Sequence, residues 1–271
     1  QAVKKLLKRV KPDLAILVDY PGLNLRVARI ADDEKIDVLY FIAPQFWAWK
    51  HKRVFQLRAH TRHVACILPF EPELLQMHNI TSTYVGHPIA EEVNIEMDRN
   101  AFARFYGLDP AKQWLGFFPG SRNNEVEKLL PIYLETINKL DSSKYQFLFS
   151  KARTVSQQLY TLMIDQHAKV QPFIIYGYNY EMMKYCDCLV VKSGTTTLEA
   201  AYIGTPAIIV YIANSISYQI GRFFVKVDKI GLPNIILNKK VLPELIQNEV
   251  NPDNIEKQIN RFLSDEELYT A

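Results

Sequence analysis

The chain has 271 residues, 48% of them hydrophobic and 23% charged. That is enough apolar material for two ordinary domains and too even a mixture for a disordered or low-complexity protein. Three cysteines, Cys66, Cys186 and Cys188, make neither a disulfide framework nor a paired zinc motif and read as buried thiols in a reducing compartment. No run of 18 apolar residues exists to span a membrane, and the opening residues lack the apolar core of a signal peptide. The net charge of +3 is uneven: residues 1–90 carry 13 Lys and Arg against 8 Asp and Glu, and residues 91–271 carry 19 against 21. A basic first part suits phosphates, an anionic membrane surface or nucleic acid.

Taken in chain order, strand-like apolar runs fall at 14–19, 38–42, 64–68, 83–85, 114–118, 146–149, 173–176, 188–191 and 207–211. They are continuous rather than alternating, which predicts parallel strands buried on both faces. Helical periodicity lies between them, at 125–140, 156–167 and 254–263, the last opened by Asn251-Pro252-Asp253. Nine strands are many for one open sheet. Two sheets are expected, with a break in the polar region 88–112.

Four segments could carry chemistry. Asp19 closes the first strand, in Asp19-Tyr20-Pro21-Gly22-Leu23-Asn24. A carboxylate there can take a proton from a substrate hydroxyl, or can cap the next helix, a role Asn24 could share. The stretch from Ala43 to Arg53 sets Trp47 and Trp49 beside Lys50, His51, Lys52 and Arg53. Rings beside cations suit sugars, phosphates or bases, or form a buried aromatic corner with a basic helix face. Pro119-Gly120-Ser121-Arg122, followed by Glu125, is a strand-to-helix turn. It can present backbone N–H groups to an anion, with Arg122 as a guanidinium fork; alternatively it is a plain turn with a surface arginine. Lys192-Ser193-Gly194-Thr195-Thr196-Thr197-Leu198-Glu199 repeats the design. Hydroxyls and Gly194 face a phosphate, and Glu199 can accept from ribose hydroxyls. The alternative is a helix cap on Thr195 with Glu199 as its capping-box partner. Lone histidines such as His87 and His167 have no ligand spacing, and no Asp-X-Asp appears, so no metal or other cofactor is expected.

In this order, the blocks Asp19–Asn24, Trp47-Ala48-Trp49, Ile67-Leu68-Pro69-Phe70-Glu71, Tyr84-Val85-Gly86-His87-Pro88, Pro119–Arg122, Ser193–Glu199, Leu232-Pro233-Asn234 and Val241–Gln247 resemble the lipid-A-disaccharide synthase family of Gram-negative bacteria. The resemblance covers nearly the whole chain. It implies an α/β, GT-B-like fold, two Rossmann-like domains with parallel sheets facing a central cleft. Residues 1–92 would be the remainder of an N-terminal acceptor-side domain and 93–271 the UDP-sugar-binding domain. The family's Gly-rich opening segment, Gly-Glu-X-Ser-Gly-Asp, has no counterpart here, so the first domain is expected to be incomplete. Where many members have Asp-Phe-Asn this chain has Gly22-Leu23-Asn24, which removes any role for that second aspartate.

By the same resemblance the activity is a metal-independent, inverting transfer of diacylglucosamine from its UDP derivative to diacylglucosamine 1-phosphate. It forms a β-1,6-linked disaccharide 1-phosphate and releases UDP. Asp19 matches the family's catalytic aspartate. Gly120, Ser121, Arg122, Glu125, Ser193, Gly194, Thr195, Thr196, Glu199 and Asn234 fall on the donor side, and Asn24, Trp47, Trp49 and Arg53 on the acceptor side. Expected partners are the two acylated sugars and the cytoplasmic face of the inner membrane, bound peripherally, and not nucleic acid; a homodimer is compatible. The stretch 216–226 reads as a core helix with basic edges, or as a contact for acyl chains. Two other readings compete: another UDP-sugar enzyme of the same fold, an epimerase or a soluble glycosyltransferase, and a non-catalytic nucleotide- or nucleic-acid-binding module.

Overall fold

The computed structural model describes residues 2–48, 50–212 and 229–264; Trp49 and the stretch 216–226 lie outside them. The described residues form two compact units, 2–88 and 89–212 with 229–264.

The first unit runs α1 (Ala2–Val10), β1 (Leu14–Val18), α2 (Pro21–Asp33), β2 (Asp37–Phe41), α3 (Arg53–His60), β3 (His63–Cys66), α4 (Glu71–Gln76) and β4 (Ser82–Tyr84). Its four strands are all parallel, in the order β1-β2-β3-β4. The small residues Ala28 and Ala31 bring α2 close to the sheet, where it covers Val38, while Leu25 joins Tyr40 in a neighbouring cluster. Among the described strands β1 stands at one end of the sheet: Ala15 and Leu17 pack inward while Leu14, Ile16 and Val18 are exposed, Ile16 at 59%. A continuous apolar run does not tell where a strand stands in its sheet, because strand order is set by distant elements.

The second unit runs α5 (Ile89–Glu92), α6 (Arg99–Tyr106), β5 (Gln113–Phe118), α7 (Asn123–Ile137), β6 (Tyr145–Ser150), α8 (Gln157–His167), β7 (Phe173–Ile175), α9 (Asn179–Tyr185), β8 (Cys188–Lys192), α10 (Thr195–Ile203) and β9 (Ala207–Tyr211). The short helix Leu232–Ile236, the strand Glu244–Ile246 and the helix Pro252–Ser264 complete it. The α5 turn packs against α10. Six parallel strands lie in the order Glu244–Ile246, β9, β8, β5, β6, β7.

Each face of this sheet has its own core. Leu115, Phe117, Phe147, Phe149, Val190 and Val210 meet α7, α8 and the helix Pro252–Ser264. The residues between them, Trp114, Phe118, Leu148, Leu189 and Val191, meet α6, α9 and α10. Here the continuous apolar runs do mean burial on both faces, and each buried large side chain contributes about 1.5–3 kcal/mol. Phe117 and Phe149 stack across neighbouring strands at 4.8 Å. Gly116 leaves room for Leu189 of β8 and Met182 of α9, since a Cβ there would lie 2.6 Å from the first and 3.3 Å from the second.

The strand order reverses between β5 and β8. From β5 the chain moves outward through β6 and β7, then returns to β8 and moves out the other way. Ligands of open α/β sheets bind at such a switch point, beyond the carboxyl ends of the strands. Pro119–Arg122 follows β5 and Ser193–Thr195 follows β8, so both candidate turns stand at this point on adjacent strands.

Candidate functional site

The turn after β5 is built around Glu125. Gly120 takes φ +115, and a Cβ there would lie 2.5 Å from Glu125 Oε2. Only glycine fits this backbone and this space. The Ser121 N–H donates to Glu125 Oε2 at 3.1 Å, and Thr154 Oγ1 donates to Ser121 O at 2.6 Å. The other carboxylate oxygen, Oε1, takes Arg122 at 3.1 Å and Lys192 Nζ at 3.0 Å. Burial works to raise the Glu125 carboxyl, but the ammonium of Lys192 overrides it and holds the group below the ordinary glutamate value. Arg122 extends outward, its side chain 74% exposed.

The turn after β8 is held from the other side. The Ser193 N–H donates to Val210 O at 2.8 Å and Ser193 Oγ to Ile230 O at 3.1 Å. Gly194 is the N-cap of α10, and Thr197 Oγ1 donates back to Gly194 O at 2.7 Å. The cap is therefore Gly194 rather than Thr195, which leaves Thr195 exposed. The first N–H groups of α10 have no partner within the helix and carry its positive dipole end. Glu199, one turn in, is raised above the ordinary glutamate value by burial first and by the nearby Glu92 carboxylate second, against a hydrogen bond from Thr196.

Asn234 is wholly buried, at 0% exposure. Its Nδ2 donates to Leu242 O at 2.8 Å and Glu244 Oε1 at 2.9 Å, and its Oδ1 accepts from the N–H groups of Val241 and Leu242, each at 2.9 Å. All four valences of the amide are used. Asn234 thus shapes the segment beside Ser193 and offers no free polar atom of its own. Glu244 also accepts from the N–H groups of Ile230 and Gly231, at 3.1 and 2.8 Å. Asn234→Ala would strand this network, so a loss of about 2–4 kcal/mol in unfolding free energy is expected. Chemical denaturation would measure it, and an unchanged midpoint would contradict it.

In the first unit, Asp19 and Tyr20 are successive left-handed residues, at φ 45 and φ 40. Such a turn costs non-glycine residues on the order of 1–3 kcal/mol apiece and persists only when held. Here Tyr40 OH donates to Asp19 O at 2.7 Å, and Asn24 Nδ2 donates to Val18 O and Asp19 O, both at 2.8 Å. Asn24 is thus the clamp of the Asp19 turn. The Asp19 residue is exposed at the end of β1. Burial first, and the Asp19 carboxylate second, raise the Tyr40 phenol, while Arg53 works against them. Asp19, Tyr40 and Arg53 therefore share one electrostatic neighbourhood.

Trp47 donates to Glu71 Oε1 at 3.3 Å, and its ring meets Phe70 edge-on at 5.1 Å. Glu71 is itself buried, which raises its carboxyl; burial first and the Glu71 carboxylate second push the Cys66 thiol up to about 12. Trp47, Phe70 and Glu71 thus form one half-buried contact. Sequence reasoning also missed Lys192, whose partner Glu125 is far away in the chain, and Glu244. The only sequence signal for Lys192 was its place at the end of a strand, directly before Ser-Gly-Thr.

Parallel α/β units, with two glycine turns side by side at a switch point, are the architecture of the GT-B-like class, which glycosyltransferases share with UDP-GlcNAc 2-epimerases. The chain belongs to the lipid-A-disaccharide synthetase family, whose model matches residues 1–270. Lipid-A-disaccharide synthase of Trichlorobacter lovleyi is 38% identical over 271 residues, covering 99% of this chain and 70% of the relative. That of Syntrophus aciditrophicus is 40% identical over 266 residues, covering 96% and 69%. Among solved structures, UDP-GlcNAc 2-epimerase from Neisseria meningitidis bound to UDP-GlcNAc superposes with a TM-score of 0.66 at 13% identity, covering 99% of this chain and 72% of that one. The E. coli ADP-heptose LPS heptosyltransferase II gives 0.54 at 12%, covering 98% and 81%. At such identities these structures share the fold alone. Among the described residues, no helix is long and apolar enough to cross a membrane.

Proposed function

We propose that the chain transfers diacylglucosamine from its UDP derivative to the 6-hydroxyl of diacylglucosamine 1-phosphate, forming the β-1,6-linked disaccharide 1-phosphate and releasing UDP. Family membership over residues 1–270 supports the reaction. The observation that supports the donor site is the pairing of two anion-ready turns on adjacent strands at the switch point.

This reading gives each residue a role. Asp19 accepts the proton of the acceptor hydroxyl as its oxygen attacks the anomeric carbon from the face opposite UDP. Charge that builds on the departing diphosphate is met by Arg122, by the Thr195 hydroxyl and by the open N–H groups of α10. Glu199 accepts from the ribose hydroxyls, and its ionised form is the one that does so. Gly120, Ser121 and Glu125 hold the first turn, Ser193 and Gly194 hold the second, and Asn234 braces the segment that Ser193 touches. Asn24 fixes Asp19, Arg53 shares its electrostatic neighbourhood, and Trp47 belongs to the acceptor side. Peripheral attachment to the cytoplasmic face of the inner membrane belongs to the same reading. It is supported by the cationic surplus of residues 1–90 and by exposed Leu6 and Val10 among the lysines of α1.

The test is product analysis. The intact protein is incubated with both acylated sugars, and mass spectrometry is expected to find disaccharide 1-phosphate and UDP in equal amounts. Epimerised UDP-sugar without disaccharide would replace this reading with the epimerase one.

A further inference from the structure

We propose that Lys192 is a second cation for the diphosphate of the sugar nucleotide, positioned for it by Glu125. The inference rests on the reading of the two turns as the diphosphate site.

Lys192 is the last residue of β8, and its ammonium reaches Glu125 across to the turn after β5. The same oxygen of Glu125 takes Arg122, and the other oxygen takes the Ser121 N–H. One carboxylate therefore serves two full cations, and the group keeps a formal charge of +1. A bridge that only tied two turns together would need one cation. It would also gain little, since a half-buried pair loses in desolvation much of what it gains in attraction.

The surplus charge lies where both turns meet. The heavy atom nearest to a Cβ built on Gly194 is Lys192 Nζ, at 3.9 Å. The ammonium thus lies over the backbone of the second turn while bonded to the first. Two helices of 15 and 9 residues, α7 and α10, begin at these turns and add their positive ends. The Lys192 side chain is 23% exposed, so the charge is partly shielded from water yet open to a ligand. Arg122 and Lys192 then divide the work. The exposed guanidinium fork can follow a phosphate that moves, whereas the ammonium is a fixed point charge between the turns. A diphosphate that enters finds two cations already gathered on one carboxylate oxygen.

The test is binding of UDP by calorimetry, and of uridine by ligand-observed NMR, to the intact protein and to Lys192→Gln and Lys192→Arg. Gln keeps a donor for Glu125 and removes the charge, which protects the fold. Lys192→Gln is expected to weaken UDP roughly tenfold to a hundredfold, the range of one charge-assisted hydrogen bond. Uridine affinity should not change, and Lys192→Arg should restore part of the loss. Equal UDP affinity in wild type and Lys192→Gln overturns the role of Lys192 while leaving the two-turn site intact. Equal weakening of UDP and uridine also overturns it, because that is the signature of a purely structural bridge. Wild-type protein that binds no UDP overturns the reading of the turns themselves.

Discussion

Asp19→Asn is expected to lower kcat by about 10²–10⁴-fold, the usual contribution of a positioned general base, while UDP affinity stays at the wild-type value. The substitution is clean for a structural reason. Asp19 sits in a left-handed conformation at φ 45, and asparagine tolerates that region as well as any side chain but glycine. The bonds that hold the turn use the backbone oxygen of residue 19, not its carboxylate. The turn should therefore survive, with only the charge and the basic oxygen removed. Asn24→Ala tests the same idea from the other side. It keeps the carboxylate and releases the clamp, so kcat should fall without any change in the chemistry available. Steady-state kinetics on the intact protein separates the cases. An Asp19→Asn enzyme with wild-type kcat would remove Asp19 from the chemistry, and a parallel loss of UDP affinity would make it a binding residue instead.

Gly120→Ala should destabilise the second unit by about 1–3 kcal/mol, the scale of one forced backbone conformation, and should abolish detectable UDP binding. Two constraints coincide at this residue. Its φ of +115 is rarely open to L side chains, and the new Cβ would lie 3.0 Å from Glu125 Cβ and 2.5 Å from Oε2. Movement of Glu125 would release Ser121 N–H, Arg122 and Lys192 together. Gly194→Ala is the contrast. A Cβ there meets nothing closer than 3.9 Å, so thermal stability should hold. Its methyl would nonetheless stand where the proposed diphosphate approaches the backbone, so UDP should bind more weakly. Thermal unfolding with and without UDP reads both effects. A stable, UDP-binding Gly120→Ala protein would mean that the first turn does not cradle the diphosphate.

Much of this architecture is written locally in the chain. In the second unit, continuous apolar runs such as 114–118 and 188–191 coincide with strands buried on both faces. Both anion-ready turns are legible because each is a strand, a glycine turn and a helix start in immediate succession. What the chain does not write locally is pairing. The same kind of apolar run stands at one end of its described sheet at Leu14–Val18 and at the centre of the other at Cys188–Lys192. The short strand Glu244–Ile246 escaped notice because it opens on a charged residue after a proline and holds only two apolar residues. The bond between Lys192 and Glu125 depends on β5 and β8 being neighbours, which only the strand order reveals. Asn234 looked like a ligand contact in its Leu-Pro-Asn segment, but folding buries it and spends its amide on the chain's own backbone.

The most direct test of the central claim is UDP titrated by calorimetry into the intact protein and into Arg122→Ala and Glu199→Ala. Arg122 stands in the turn after β5 and Glu199 on α10, at the phosphate and ribose ends of the proposed site. Saturable wild-type binding, with both variants at least several-fold weaker and folded to the same thermal midpoint, is the predicted result. Wild-type affinity in both folded variants would contradict it and place any nucleotide elsewhere than at the switch point between β5 and β8.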